Sequence, residues 1–348
     1  MQVNAAPPSP PPSFWDNLPR PMMLLAPMAN VTDTAFRQII ARCGRPHLMM
    51  TEFTSCEGLC SRGRDRLLAE LTYHESERPL VVQFFGPRPE PFYRCAQLAR
   101  ELGFDGIDIN TGCPDRRVLR QGAGAALIGD PARMREIYAA AREGAGGLPV
   151  SIKTRLGIAR DTLEEWLAVL LDLRPAAITL HARTVRELSN TAAHWDAVAR
   201  AVGQARGSGV PINGNGDVRD PAHGRELAAQ TGADGVMLGR AIFGNPWLFH
   251  PTIRKHELGL ERVLATMLEH AALFDRLLGE VRPFVEMRRH FKAYLAGFPD
   301  TRALRVALME CAGLADAQAI VARHLAARAG CTGRRPTQRR EPQLTAAR

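Results

Sequence analysis

Between Met22 and Phe249 the chain repeats one unit, a short apolar, β-branched run followed by a longer amphipathic stretch. Strands of a parallel sheet are covered on both faces and read as nearly continuous apolar runs, so this alternation is the pattern of βα units. Eight runs are present: Met23–Met28, Leu48–Phe53, Leu80–Phe85, Gly106–Asn110, Val150–Thr154, Ala177–His181, Val210–Gly214 and Gly235–Leu238. Intervening stretches such as Pro89–Leu102, Pro131–Glu143 and Trp195–Arg206 have helical periodicity. Eight such units are what a closed (β/α)8 TIM barrel requires, whereas an open doubly wound sheet rarely needs so many. The expected fold is an α/β barrel over residues 21–250.

From Pro251 to Ala329 there are no β-rich runs. Apolar residues recur there at helical spacing, as in Val263-Met267-Leu268 and Phe284-Met287-Phe291-Leu295, which predicts a small helical domain over 251–329. The Pro-rich residues 1–20 and the basic residues 330–348 are expected to be disordered. The chain of 348 residues carries a formal charge of +9, which favours a polyanionic partner. Five arginines stand against one glutamate in the tail, and a second basic cluster comprises Arg282, Arg288, Arg289, Lys292, Arg302 and Arg305. No apolar run approaches the ~20 residues of a membrane span. Seven cysteines without a secretory leader suit a reducing, cytoplasmic setting. Cys56 and Cys60 have no second ligand pair, so no metal site is expected.

In such a barrel, chemistry belongs at the carboxyl ends of the strands, whose loops share one mouth. Those ends carry Pro27-Met28-Ala29-Asn30, Glu52, Gln83, Asn110 with Cys113, Lys153 with Arg155, His181 with Arg183, Asn215-Gly216-Asp217, and Gly239-Arg240. Any one of these could be a structural cap, but eight loaded ends out of eight point to a site. The types suit a flavin mononucleotide. Gly216-Asp217 and Gly239-Arg240 follow the seventh and eighth strands, where barrels hold phosphate. Lys153 and His181 offer charge or donors to a reduced flavin, and Gln83 and Asn110 can meet the ring's amide edge. Cys113 sits in a Gly-Cys-Pro loop, and a thiol mostly protonated at neutral pH suits a general acid. The glycine-rich run Gly122–Gly129 departs from dinucleotide spacing and reads as a loop and helix start beside the site.

Several ordered motifs then become recognisable: Leu25-Ala26-Pro27-Met28-Ala29-Asn30-Val31-Thr32-Asp33, Phe36-Arg37, Gln83-Phe84-Phe85-Gly86, Asp108-Ile109-Asn110-Thr111-Gly112-Cys113-Pro114, Lys153-Thr154-Arg155, His181-Ala182-Arg183-Thr184 and Met287-Arg288-Arg289-His290. Together they resemble the tRNA-dihydrouridine synthases, from about Leu24 to Trp247 and into the helical segment. The resemblance implies NADPH-dependent, FMN-mediated reduction of the C5=C6 bond of a tRNA uridine, with Cys113 as proton donor. It implies FMN contacts from Pro27, Met28, Ala29, Gln83, Lys153, His181, Asn215, Gly216, Asp217, Gly239 and Arg240. Asn110 would lie beside flavin and base, Arg155 and Arg183 would touch substrate, and Arg288, Arg289 and Lys292 would grip tRNA phosphates. No obligate protein partner is evident. The sequence departs from the family at Asn30, usually Gly, at Ala182, usually Gly, and in Glu187–His194, which lacks a frequent Tyr. An FMN barrel acting on a small pyrimidine is the alternative, disfavoured by the basic helical segment.

Overall fold

The computed structural model describes residues 13–332. Among these, eight strands run β1 (Met22–Leu25), β2 (Met49–Ser55), β3 (Leu80–Phe85), β4 (Gly106–Thr111), β5 (Val150–Arg155), β6 (Ile178–His181), β7 (Ile212–Asn215) and β8 (Gly235–Leu238). All are parallel, in the order β1-β8-β7-β6-β5-β4-β3-β2. A bridge between Leu24 and Leu48 joins the two outer strands, with the Leu25 N–H donating to the Leu48 carbonyl at 3.0 Å. The sheet thereby curls into the expected barrel. β1 and β8 are buried at every position, as continuous apolar strands should be.

Several strand boundaries differ from the apolar runs by a residue or more, and proline sets two of them. The first run predicted a strand to Met28, but β1 stops at Leu25; Pro27 has no N–H, and the Met28 N–H bonds to Thr32 Oγ1 at 2.9 Å. The seventh begins at Ile212, after Pro211, instead of at Val210. Helices between strands start where the chemistry says they should. Asp33, Asp130 and Asp220 each accept from a first-turn N–H, and proline opens Pro131–Ala145 and Pro221–Thr231.

The lead-in expected to be disordered over 1–20 is ordered from Ser13. Ser13 and Asp16 form a reciprocal cap on the turn Phe14–Asn17, and Trp15 is 1% exposed. Trp15 packs with Met22, Leu24, Met50 and Met237 and fills the barrel floor at the amino ends of the strands. Burying an indole of this size outweighs the local Pro-rich bias. The Pro7–Pro12 run itself lies outside the described residues, as does the tail beyond Thr332. Residues 330–332 belong to the last helix.

After β8 come the helices Leu260–Leu278, Met287–Tyr294, Arg302–Glu310 and Leu314–Thr332. The first packs on the barrel helix Thr34–Gly44, so Phe36, Val263, Met267 and Phe274 share one core. No helix among the described residues is long and apolar enough to cross a membrane.

Candidate active site

A cavity of about 410 Å³ opens at the carboxyl ends of the strands, within the range of small-ligand pockets. Its lining includes Pro27, Met28, Gln83, Asn110, Cys113, Lys153, Arg155, His181, Arg183, Asn215, Gly216, Asp217, Gly239 and Arg240. A larger cavity of about 600 Å³, near Arg219, Trp247 and Lys255, is lined by none of these residues.

One wall is built by a chain of side-chain hydrogen bonds. Asp108 and Asn110 share a face of β4, and Gln83 on β3 is the register partner of Asp108. Gln83 Nε2 donates to Asp108 Oδ2 at 2.7 Å, and Asn110 Nδ2 donates to Gln83 Oε1 at 2.9 Å. The Asn110 carbonyl oxygen accepts from the backbone N–H groups of Gly112 and Cys113, at 3.1 and 2.9 Å. Asn110 therefore clamps the thiol loop. Behind it, Ser151 donates to Asp108 at 2.6 Å, and burial pushes the Asp108 carboxyl up to about 6. Cys113 is 9% exposed, beside the edge-to-face pair Phe53 and Phe85, and burial raises its thiol pKa. Gly124, at φ +59°, lets the glycine-rich turn close on this loop, since a Cβ there would stand 3.1 Å from the Cys113 carbonyl oxygen. Asp108 was not singled out from the sequence. An acid inside an otherwise apolar strand, two residues before Asn110, was the available signal.

The adjoining wall is cationic, beginning with Lys153, the register partner of Asn110 on β5. Burial lowers the Lys153 ammonium to about 8, with neighbouring Arg155 adding to the effect. Lys153 Nζ reaches Asn215 Oδ1 at 3.3 Å, while Asn215 Nδ2 donates to the Met237 carbonyl at 2.8 Å. Burial and the surrounding cations lower His181 to about 2, so it is a neutral imidazole. A neutral ring can offer a donor but not a charge. Arg183 NH1 meets His181 Nε2 at 3.2 Å, and its other nitrogens hold the Thr191 carbonyl and the Asp217 carboxylate. Arg240 approaches the same carboxylate at 2.6 Å, and the Arg183 hydrogen bond in particular depresses the Asp217 pKa. Gly216 adopts φ +131°, and a Cβ there would lie 2.8 Å from Ala193. Among the described residues, the backbone N–H groups of Gly216, Gly239 and Arg240 find no protein acceptor. Such free donors beside an exposed guanidinium form an anion cradle, which a flavin phosphate would fit.

Other expected site residues have different surroundings. Arg155 donates to the carbonyls of Gly112, Thr184 and Leu188 at 2.8, 3.0 and 3.2 Å, so it braces the thiol loop while lining the cavity. Ala29 is exposed in the turn after β1 and does not line the cavity, because the chain turns away there through Asn30 at φ +57°. Arg288 donates to the Cys311 carbonyl at 2.9 Å, which ties it to the helical packing. Arg289 and Lys292 are exposed, and Arg289 reaches the Asn30 carbonyl at 3.4 Å at the rim of the mouth. Arg282, part of the basic cluster, is buried against Glu52 at 2.9 Å, Asn30 at 2.6 Å and Glu286. Asn30 thus has a task that glycine could not perform. The Glu187–His194 segment, lacking its tyrosine, is ordered by Glu187, which accepts from the Thr184 N–H and from His194, both at 2.7 Å.

Residues 24–329 match the dihydrouridine synthase (Dus) family. The chain belongs to that family. Two relatives agree: a "probable tRNA-dihydrouridine synthase" of Staphylococcus aureus (strain MRSA252) is 38% identical over 315 residues, 89% of this chain and 94% of its own. A "probable tRNA-dihydrouridine synthase 2" of Bacillus subtilis (strain 168) is 39% identical over 89% of this chain and 95% of its own. Among solved structures, a 2-naphthoyl-CoA reductase complex superposes with TM-score 0.52 at 11% identity, over 66% of this chain and 49% of that one, a likeness of fold alone. Family members are flavin-dependent oxidoreductases.

Proposed function

We propose that this dihydrouridine synthase reduces the C5=C6 bond of a uridine in tRNA, using FMN as bound cofactor, NADPH as electron donor and Cys113 as the acid. The observation that supports the reading is one cavity lined both by a clamped thiol in the loop after β4 and by an anion cradle after β7 and β8. Gly216, Gly239 and Arg240 would hold the FMN phosphate, Lys153 and Asn215 the ring's polar edge, and Pro27 and Met28 one face. When bound, FMN supplies the hydride that enters at C6 of the base.

The chain's own groups do the rest. Because the double bond is conjugated to the C4 carbonyl, negative charge develops toward C5, and the Cys113 thiol delivers a proton there. Burial keeps the thiol protonated until that moment. Lys153 supplies positive charge where the reduced ring is electron-rich. A base must leave its stack to reach a cavity of this kind, at a cost of a few kcal/mol. Arg289, which reaches the loop after β1, and Lys292, both exposed, suit the flanking phosphates.

The test is Cys113→Ala. The variant should remain yellow and bind tRNA, while dihydrouridine formation falls by about 10²–10⁴-fold, the usual worth of general acid catalysis. Near-normal turnover would remove Cys113 from the role. Loss of dihydrouridine from tRNA in cells lacking the gene, mapped by position, identifies the target uridine.

A further inference from the structure

Away from the cavity, three buried side chains from three separate segments converge where the helical region meets the barrel. Asp33 caps the helix Thr34–Gly44, accepting from the Phe36 N–H through Oδ1 at 2.9 Å. His270 lies on Leu260–Leu278 and His290 on Met287–Tyr294. A carboxylate oxygen and one nitrogen of each ring all lie within 4.8 Å of one another.

Two of these atoms stand out. His270 Nε2 and His290 Nδ1 are buried and make no hydrogen bond within the protein. Each unpaired buried polar atom costs about 1–3 kcal/mol, so two on the rings of one such cluster call for a partner. The opposite nitrogen of His270, Nδ1, stands 3.4 Å from the Tyr294 hydroxyl, and the Asn30 backbone acts on the His290 ring. Metal-bound histidines are oriented in this way: one ring nitrogen donates to an outer acceptor, which fixes the tautomer and frees the other lone pair. Phe36 stacks on His270 at 4.8 Å, and Phe36 and Phe243 meet His290 edge-on at 5.2 and 5.1 Å, completing an apolar shell. Arg282 lies 4.0 Å from Asp33 Oδ2, but its charge is shared with Glu52 and Glu286.

We propose that Asp33, His270 and His290 bind a divalent transition metal ion, which pins the helical region to the first βα unit of the barrel. Two imidazoles and one carboxylate suit zinc or a similar first-row ion, and bonds of about 2.0–2.2 Å would draw the three ligands together. A single bridging water is the competing occupant, since ~2.8 Å hydrogen bonds leave the three groups farther apart. Sequence spacing could not have revealed the site, because its ligands come from distant segments.

The test uses the full flavin-bound chain, produced in zinc-supplemented medium and assayed by inductively coupled plasma mass spectrometry. About one zinc per chain is expected. His270→Gln and His290→Gln should each lose it, while Cys60→Ser and His256→Gln keep it. Wild-type protein produced with cobalt should show visible d–d bands without the near-ultraviolet band of a thiolate ligand. Wild-type chain carrying no zinc and taking up no cobalt would overturn the proposal in favour of water. A thiolate band, or zinc retained in both histidine variants, would overturn it by placing the ion elsewhere.

Discussion

At the residue scale, what was legible was chemical type, and what was not was which atoms each side chain spends on the protein. Gln83, Asn110, Cys113 and Lys153, which line one cavity, were readable because polar residues recur at every strand end, where a lone one could have been a cap. Their hydrogen-bond order was not, since it depends on the register that places Gln83 opposite Asp108. Asn110 illustrates the difference: its carbonyl oxygen is consumed by the Gly112 and Cys113 N–H groups, so it positions the thiol. Asn110→Ala should lower kcat by about 10–100-fold with little change in tRNA affinity, the effect of misplacing a reacting group. Single-turnover rates beside tRNA-binding measurements check this, and an equal loss in affinity would mean that Asn110 chiefly holds the base. Lys153 gives a pH signature. With its pKa lowered to about 8, it is charged below that pH and neutral above, so its electrostatic help is lost on the alkaline side. Reduction at saturating tRNA should therefore fall as pH rises through about 8. Lys153→Arg, which stays charged, should flatten that limb of the profile.

At the element scale, the eight strands were visible because parallel strands carry their burial in their composition, and several helices because apolar residues recur at helical spacing. What composition could not show was how the helical region docks. That contact runs through Arg282, which read as one more surface cation in a basic cluster and is instead buried between Glu52, Asn30 and Glu286. Removing one partner of a buried pair strands the other, at a cost of about 3–5 kcal/mol. Arg282→Ala should lose stability of that order in urea titrations. The double variant Arg282→Leu with Glu52→Gln should lose clearly less than the sum of its single changes. Additive losses would mean that the two side chains act independently.

At the scale of the whole molecule, the charge of +9 has a measurable expression in salt dependence. If Arg289 and Lys292 each neutralise one phosphate, replacing both with alanine should weaken tRNA binding at low salt and reduce the slope of log K against log salt by roughly 1–2. An unchanged slope would move the RNA path elsewhere. The overall division into barrel and helical segment was legible from periodicity, but the ordered lead-in was not, because one tryptophan decided it against its Pro-rich surroundings. That tryptophan has a kinetic consequence. Trp15 and its neighbours pack together in the barrel interior and the cavity lies at the carboxyl ends of the strands, so on the proposed function the reductant and the RNA base would enter by the same mouth. The two partners then take turns. Double-reciprocal plots of rate against tRNA, drawn at several reductant concentrations, should run parallel; lines that converge would mean that both occupy the mouth together.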